Sequence, residues 1–201
     1  MTSPYKDIRS DFFKRYFECA KSYDDYLLES ETAHAQRWRD FESKITLQPK
    51  QRAIVEAFKR KMPVLVMSGV WCGDCARQGP MLKAIEEASN GLISCRFIDN
   101  RANLELQDEL RINGAEKVPV VVCFSEDFYE IERFGDRHLS VYRRKMETEL
   151  GAACDPGIVT GQGSELPGSE LEVELGEWVS YFERLQLMLR LAPALRRRYN
   201  D

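Results

Sequence analysis

Cys72 and Cys75 are the side chains in this sequence best spaced to do chemistry together. They stand in the run Trp71-Cys72-Gly73-Asp74-Cys75, at the seam between a short valine-rich stretch and a helical pattern. A cysteine at a helix start faces backbone N–H groups with no intrahelical partner and the positive end of the helix dipole. Both stabilise a thiolate, so Cys72 is expected to have a lowered pKa and to act as the attacking nucleophile. Cys75, one turn further on, can reach the same sulfur and resolve a mixed disulfide. Asp74 opposes ionisation. At an effective dielectric of about 20 and a separation of about 6 Å its repulsion is roughly 3 kcal/mol, an upper figure for a surface site. The helix terminus contributes about 0.3–2 kcal/mol in the other direction.

The elements around the pair follow from hydrophobic periodicity. Ile8, Phe12, Tyr16, Cys19, Tyr23 and Tyr26/Leu27 recur at steps of three and four, which predicts one aromatic-faced N-terminal helix. Further helices are expected over 32–43, with Trp38 and Phe41 inward, and from Pro49, with Ile54, Val55 and Phe58 inward. A buried strand is expected over 63–70, then a helix over 72–88, a strand over 92–98 and a helix over 103–111. Strands over 118–124 and 128–134 flank the turn Ser125-Glu126-Asp127, and a helix over 138–150 follows. A Gly/Pro-rich linker over 151–168 leads to a long helix over 171–195. Its stripe is Leu171, Leu175, Trp178, Phe182, Leu185 and Leu189. Leu187, Leu191 and Leu195 widen it, so most of the circumference of its last turns is expected to be buried. Strands alternating with helices predict an α/β layer structure with parallel pairing and an antiparallel edge from the closing hairpin.

Composition limits the function classes. With 201 residues, 43% hydrophobic and 31% charged, the chain reads as an ordinary globular protein. A net charge of −4 argues against a bulk electrostatic nucleic-acid binder, and Arg196-Arg197-Arg198 reads as a solvated helix end. No apolar run is long enough to span a bilayer. The N-terminal residues lack the basic start and apolar stretch of a signal peptide. The expectation is a cytoplasmic protein in a reducing compartment with no membrane partner, where 6 cysteines do not form a disulfide framework. Structural zinc needs about four ligands, usually as two pairs. Cys19, Cys95, Cys123, Cys154, His34 and His138 are not paired at ligand spacing, so no metal is expected. Cys19, Cys95 and Cys123 read as buried inert thiols. Cys154 reads as an incidental surface thiol, with a relay to Cys72 as the sharper alternative. Asp136 or His138 is expected to cap the helix that follows, a substrate contact being the rival.

With these residues in view, the sequence resembles the thioredoxin superfamily over about 48–150. Trp71 before the cysteine pair, Pro80 in the following helix, Val118-Pro119 opening a strand and Gly135 after the terminal hairpin carry the resemblance. The whole chain looks like a bacterial thioredoxin-like group with a WCGDC site and helical extensions. The fold this implies is a central mixed four-stranded sheet flanked by helices. It would be divided as an N-terminal helical extension (1–47), the thioredoxin-like domain (48–150) and a linker with a C-terminal helix packing on it (151–201). The resemblance implies Cys72 as nucleophile and Cys75 as resolving thiol, without a bound cofactor. Pro119 would be cis beside the sulfurs, with the Val118 backbone free to pair with an extended substrate and Trp71 covering the site. Gly73 and Asp74 would fill the turn between the thiols. Thioredoxins carry a buried acid six residues before the nucleophile. Val66 stands there, so the carboxylate that would help deprotonate the resolving thiol is missing. Asp74 replaces their proline, and the Cys72 pKa is expected nearer to that of thioredoxin than to those of strongly oxidising relatives. A pKa below about 5 would refute the Asp74 repulsion.

Two functions fit. One is a thiol–disulfide oxidoreductase, running as a reductant on protein or small-molecule disulfides and recharged by a reductase or thiol donor. The other is a redox-switched adaptor that uses the fold for binding and turns over little. The aromatic stripe of the first helix and the Leu/Trp stripe of the last are expected to pack on one another and on one side of the sheet. A homodimer or partner surface is the rival reading.

Overall fold

A computed structural model describes residues 6–149 and 168–200. The linker and Cys154 lie outside the described residues. Four strands carry the core: β1 (Met62–Ser68), β2 (Ile93–Asp99), β3 (Val120–Phe124) and β4 (Glu130–Gly135). They lie side by side in the order β2-β1-β3-β4. The result is an α/β thioredoxin fold with a mixed four-stranded sheet and extra helices.

Parallel pairing is confined to β1 and β2, narrower than the alternation of elements suggests. Strand β3 runs antiparallel to β1, and β4 antiparallel to β3. The helix between β2 and β3, α6 (Leu104–Glu109), is short. The chain returns to the end of the sheet it left, so β3 begins where β1 finishes. Register pairs Met67 with Val120. Val118 and Pro119 therefore lie beside the chain as it leaves Ser68 for the cysteine motif.

The N-terminal stripe is two helices, α1 (Ser10–Cys19) and α2 (Tyr23–Leu28). Between them Lys21 exchanges two backbone hydrogen bonds with Phe97 on the β2 edge, at 2.9 and 2.7 Å. The chain crosses the sheet edge there. Before the crossing, Phe13 packs against Phe124. After it, Tyr23 and Tyr26 pack against Phe97 and against Trp38 of α3 (Thr32–Glu42). A backbone that makes ladder bonds at Lys21 cannot continue a helix, so Cys19 falls at the end of α1 and is exposed; Ile8, ahead of α1, is exposed as well. That corrects the expectation of a buried Cys19. Cys95 and Cys123 are fully buried.

Helix α4 (Pro49–Glu56) opens with proline and a reciprocal Gln48–Gln51 capping box. Helix α5 (Gly73–Ala88) lies across the sheet face that carries Cys95, with the Cys95 sulfur near the Leu82 carbonyl. Helix α7 (Leu139–Glu149) follows β4. Helix α8 (Glu170–Leu191) starts at a Ser169–Glu172 capping box and packs on α4, α5 and α7. It therefore covers the opposite face of the sheet from α1, and the two stripes do not pack on one another as expected. Pro193 ends α8 and begins α9 (Pro193–Tyr199), so the single helix over 171–195 is two. Leu187 and Leu191 are 56% and 74% exposed, because only one side of α8 meets the domain. The widened stripe is thus not buried at Leu187 and Leu191, while Leu195, on α9, is partly buried against the core. No helix among the described residues is long and apolar enough to cross a membrane.

Candidate active site

Strand β1 is buried between β2 and β3, under helices on both faces of the sheet, and delivers the chain to a turn in which the Cys72 N–H donates to the Gly69 carbonyl at 2.9 Å. Cys72 then occupies the N-cap of α5 with extended backbone. Capping side chains sit where the second and third helical amides point. Here those amides belong to Asp74 and Cys75, and the atom they face is sulfur.

Cys72 is half-buried, and its pKa is lowered to about 6. The largest cause is a hydrogen bond donated by the Cys75 thiol. Burial works the other way, and the amides of Cys75 and Asp74 lower the pKa further. Asp74 raises it, with the least weight of these, and its carboxylate is met by Arg137 at 2.6 Å. Cys75 is 1% exposed, and its pKa is raised well above the usual thiol value, first by burial and then by its bond to Cys72. The Gly69 amide donates to its sulfur at 3.5 Å. One thiol is open and easily ionised, and the one behind it is closed and holds its proton.

The opposite wall is the β3 entry. The Val118–Pro119 peptide bond is cis. The Val118 carbonyl lies 3.7 Å from the Cys72 sulfur. A side chain at Gly135 would come within 3.1 Å of the Pro119 carbonyl, so glycine there lets β4 close against the loop. Trp71 is 37% exposed beside Cys72, with the Arg101 guanidinium 4.2 Å from its ring centre. The structure thus gathers Trp71, Cys72, Gly73, Asp74, Cys75, Val118 and Pro119 at one corner of the sheet.

Asp136 and His138 take other places. Burial disfavours the Asp136 carboxylate, but hydrogen bonds from Tyr142 and Lys117 and the charge of Arg137 hold its pKa below the usual value. His138 is buried between Phe134 and Trp178, and desolvation drops its pKa to about 3, so it stays neutral. Neither side chain caps α7. Glu177 of α8 does so, accepting from the Ser140 amide at 3.1 Å.

Several participants have no local sequence signal. The Trp38 indole donates to the Val70 carbonyl at 2.9 Å and fixes the strand-to-motif turn from outside. It fits because residue 79 is glycine: a Cβ there would lie 2.1 Å from the Trp38 ring. Behind Cys75 lie the buried hydroxyls of Ser68 and Tyr26. The Ser68 hydroxyl favours the Cys75 thiolate, and the Cys75 charge acts on Tyr26. Ser68 shares a strand face with Val66, where thioredoxins carry an acid. Its signal was a lone polar residue closing an apolar strand. No three His, Cys, Asp or Glu side chains among the described residues converge as a metal-ligand set.

A family model described as thioredoxin matches residues 20–147. The crystal structure of a Pseudomonas aeruginosa protein of unknown function is similar at a TM-score of 0.64 and 19% identity, covering 84% of this chain and 95% of that one. An HIV epitope-scaffold is similar at 0.58 and 16% identity, covering 87% and 92%. At these identities the likeness is one of fold. No curated protein matches the chain.

Proposed function

The chain belongs to the thioredoxin family, and on that premise we propose that it is a thiol–disulfide oxidoreductase that works through Cys72 and Cys75 and runs as a reductant. The observation that carries this is the asymmetry of the two thiols: a half-buried Cys72 with a pKa near 6 and a buried Cys75 that donates to it.

The Cys72 thiolate attacks one sulfur of a substrate disulfide. A Cys72–substrate S–S bond forms, the substrate S–S bond breaks, and the leaving thiolate takes a proton from water. In the mixed disulfide Cys72 no longer carries the charge that opposes ionisation of Cys75. Cys75 then gives its proton to water and attacks the Cys72 sulfur; the Cys72–Cys75 bond forms, the Cys72–substrate bond breaks, and the second substrate sulfur leaves as a thiolate that takes a proton from water. Two electrons have passed to the substrate, and the protein holds a Cys72–Cys75 disulfide. A dithiol donor, free or enzyme-bound, resets it. The Val118 carbonyl beside the Cys72 sulfur offers an extended substrate a backbone acceptor.

Insulin reduction with dithiothreitol as donor tests the reading. Turnover that vanishes in Cys72→Ser supports it, and Cys75→Ser should accumulate mixed disulfides. The adaptor reading draws support from Val66, since the second step lacks the buried carboxylate. A pair that oxidises and reduces reversibly but leaves insulin intact would favour it. A cytoplasmic setting fits a reductant and forms part of this proposal.

A further inference from the structure

Two guanidiniums stand at the rim of the thiol pair without an acidic partner among the described residues. The Arg37 guanidinium of α3 lies over Gly73, one nitrogen 2.7 Å from where a Cβ would stand, so the approach depends on that residue being glycine. The Arg101 guanidinium stacks on Trp71. Gly73 and Trp71 are the two chain neighbours of Cys72. Neither guanidinium forms an ion pair with any described residue. The acids nearby are otherwise engaged. Asp74 is paired with Arg137, and Asp136 with Lys117 and Arg137. Asp99 turns one oxygen onto the amides of Arg101 and Ala102, at 2.9 and 3.0 Å. In a chain with a net charge of −4, the rim of the nucleophile is locally positive.

Resting on the oxidoreductase reading above, we propose that Arg37 and Arg101 select disulfides flanked by carboxylates, clamping an anionic group on each side of the sulfur that Cys72 attacks. Arginine suits the task, since its planar fork accepts a carboxylate in two hydrogen bonds. Local positive charge also steers an anionic substrate toward a site on an otherwise negative protein. The carboxylates can belong to an acidic peptide segment around a protein disulfide or to a small dicarboxylate disulfide, and the two sources are separable.

The test uses the full chain, pre-reduced, mixed with three disulfide-linked peptides alike except for Glu, Gln or Lys on both sides of the cysteine, and with oxidised glutathione as the small-molecule arm. Oxidation is followed by tryptophan fluorescence. The Glu peptide is expected to react about tenfold faster than the Lys peptide at low ionic strength. That preference should collapse near 1 M salt, where the screening length is about 3 Å. In Arg37→Gln/Arg101→Gln the Glu-to-Lys ratio should fall toward one. The ratio is the readout, so any effect on folding or on the Cys72 pKa common to all peptides cancels. Oxidised glutathione matching the Glu peptide and losing its advantage in the double variant assigns the small source; a fast Glu peptide beside slow glutathione assigns the peptide source. Equal Glu and Lys rates in the wild type, or a ratio that survives in the double variant, overturn the proposal. If no disulfide reacts, the oxidoreductase reading falls. Calorimetric titration of Cys72→Ser with the Glu and Lys peptides then decides the charge preference alone, and equal affinities overturn it.

Discussion

Trp38 and Trp178 are both fully buried tryptophans on helices outside the sheet, one ahead of it in the chain and one after it. Their surroundings differ. Trp38 donates to the Val70 carbonyl, lies on Gly79 and packs on Tyr26, whose phenol is near Cys75. Trp178 packs on Phe134, His138 and Phe182, and its N–H finds no partner among the described residues. The N-terminal flank thus forms part of the wall of the site, whereas α8 braces the sheet and α5 from the side. Charge is distributed in the same way. The N-terminal flank places Arg37 over the motif, while α8 places the sealed Glu174 between Arg77 and Arg144, at 2.7 Å from each. Similar amphipathic helices can serve chemistry or scaffold, and what decides is which backbone groups they reach.

The sharpest way to break this division is to truncate both tryptophans. Trp38→Ala and Trp178→Ala should each destabilise the fold by about 3–5 kcal/mol, the usual loss for a large aromatic removed from a core. Urea unfolding measures that. The pH dependence of Cys72 alkylation should separate them. In Trp38→Ala the turn loses its anchor, the amides drift from the sulfur, and the midpoint rises from about 6. In Trp178→Ala it stays in place. Equal shifts in the two variants would erase the distinction. Glu174→Gln probes the scaffold side again. It should lower stability by about 1–3 kcal/mol with no change in the thiol midpoint. That is below the range for breaking a fully buried pair, because Arg77 and Arg144 retain Glu170 and solvent.

Part of this was legible in the chain itself. Cys-x-x-Cys at a strand–helix seam, the apolar strands and Val118-Pro119 are local patterns, and local patterns carried the fold and the motif. The departures from local pattern share a cause. Lys21 looks like one residue of a helix, and only the β2 edge makes it a ladder partner. The last turns of α8 look core-facing by composition, and only the shape of the domain leaves Leu187 and Leu191 in solvent. Arg37, Trp38 and Ser68 reach the site through contacts across the fold, which a pattern of nearby residues does not encode. Gly79 shows the same limit: it reads as a weak point in a helix, and its reason is a ring from another helix.

The motif's own share of the thiol's poise is the standard against which the flank's share is measured. Cys75→Ala removes the donor with the largest effect on Cys72, so the alkylation midpoint should rise by about one unit or more, each unit being about 1.4 kcal/mol. The linkage has a definite sign. The folded pKa lies below the unfolded one, so the thiolate's contribution to stability is complete above the ordinary thiol pKa of 9.0 and is lost as pH falls through about 6. Cys75→Ala should therefore narrow the pH range over which stability falls on acidification, which thermal unfolding between pH 5 and pH 9 can follow.

The smallest effect should come from Asp74→Asn, although the bare repulsion between neighbouring charges suggested the opposite. An isolated Asp74 at about 6 Å would oppose the thiolate by up to roughly 3 kcal/mol. Arg137 at 2.6 Å turns that carboxylate into half of an ion pair, whose field falls off faster than that of a single charge. Removing the aspartate charge also leaves Arg137 with Asp136 alone as its acidic partner, so more of its charge reaches the thiolate and both changes act in one direction. The midpoint should drop, by less than about one unit given solvent access to the pair. This contact joins the turn between β4 and α7 to the motif, since Arg137 lies in that turn. A drop well beyond one unit would mean that Arg137 does not screen Asp74 in solution, and that the turn between β4 and α7 has no hand in the thiol's ionisation.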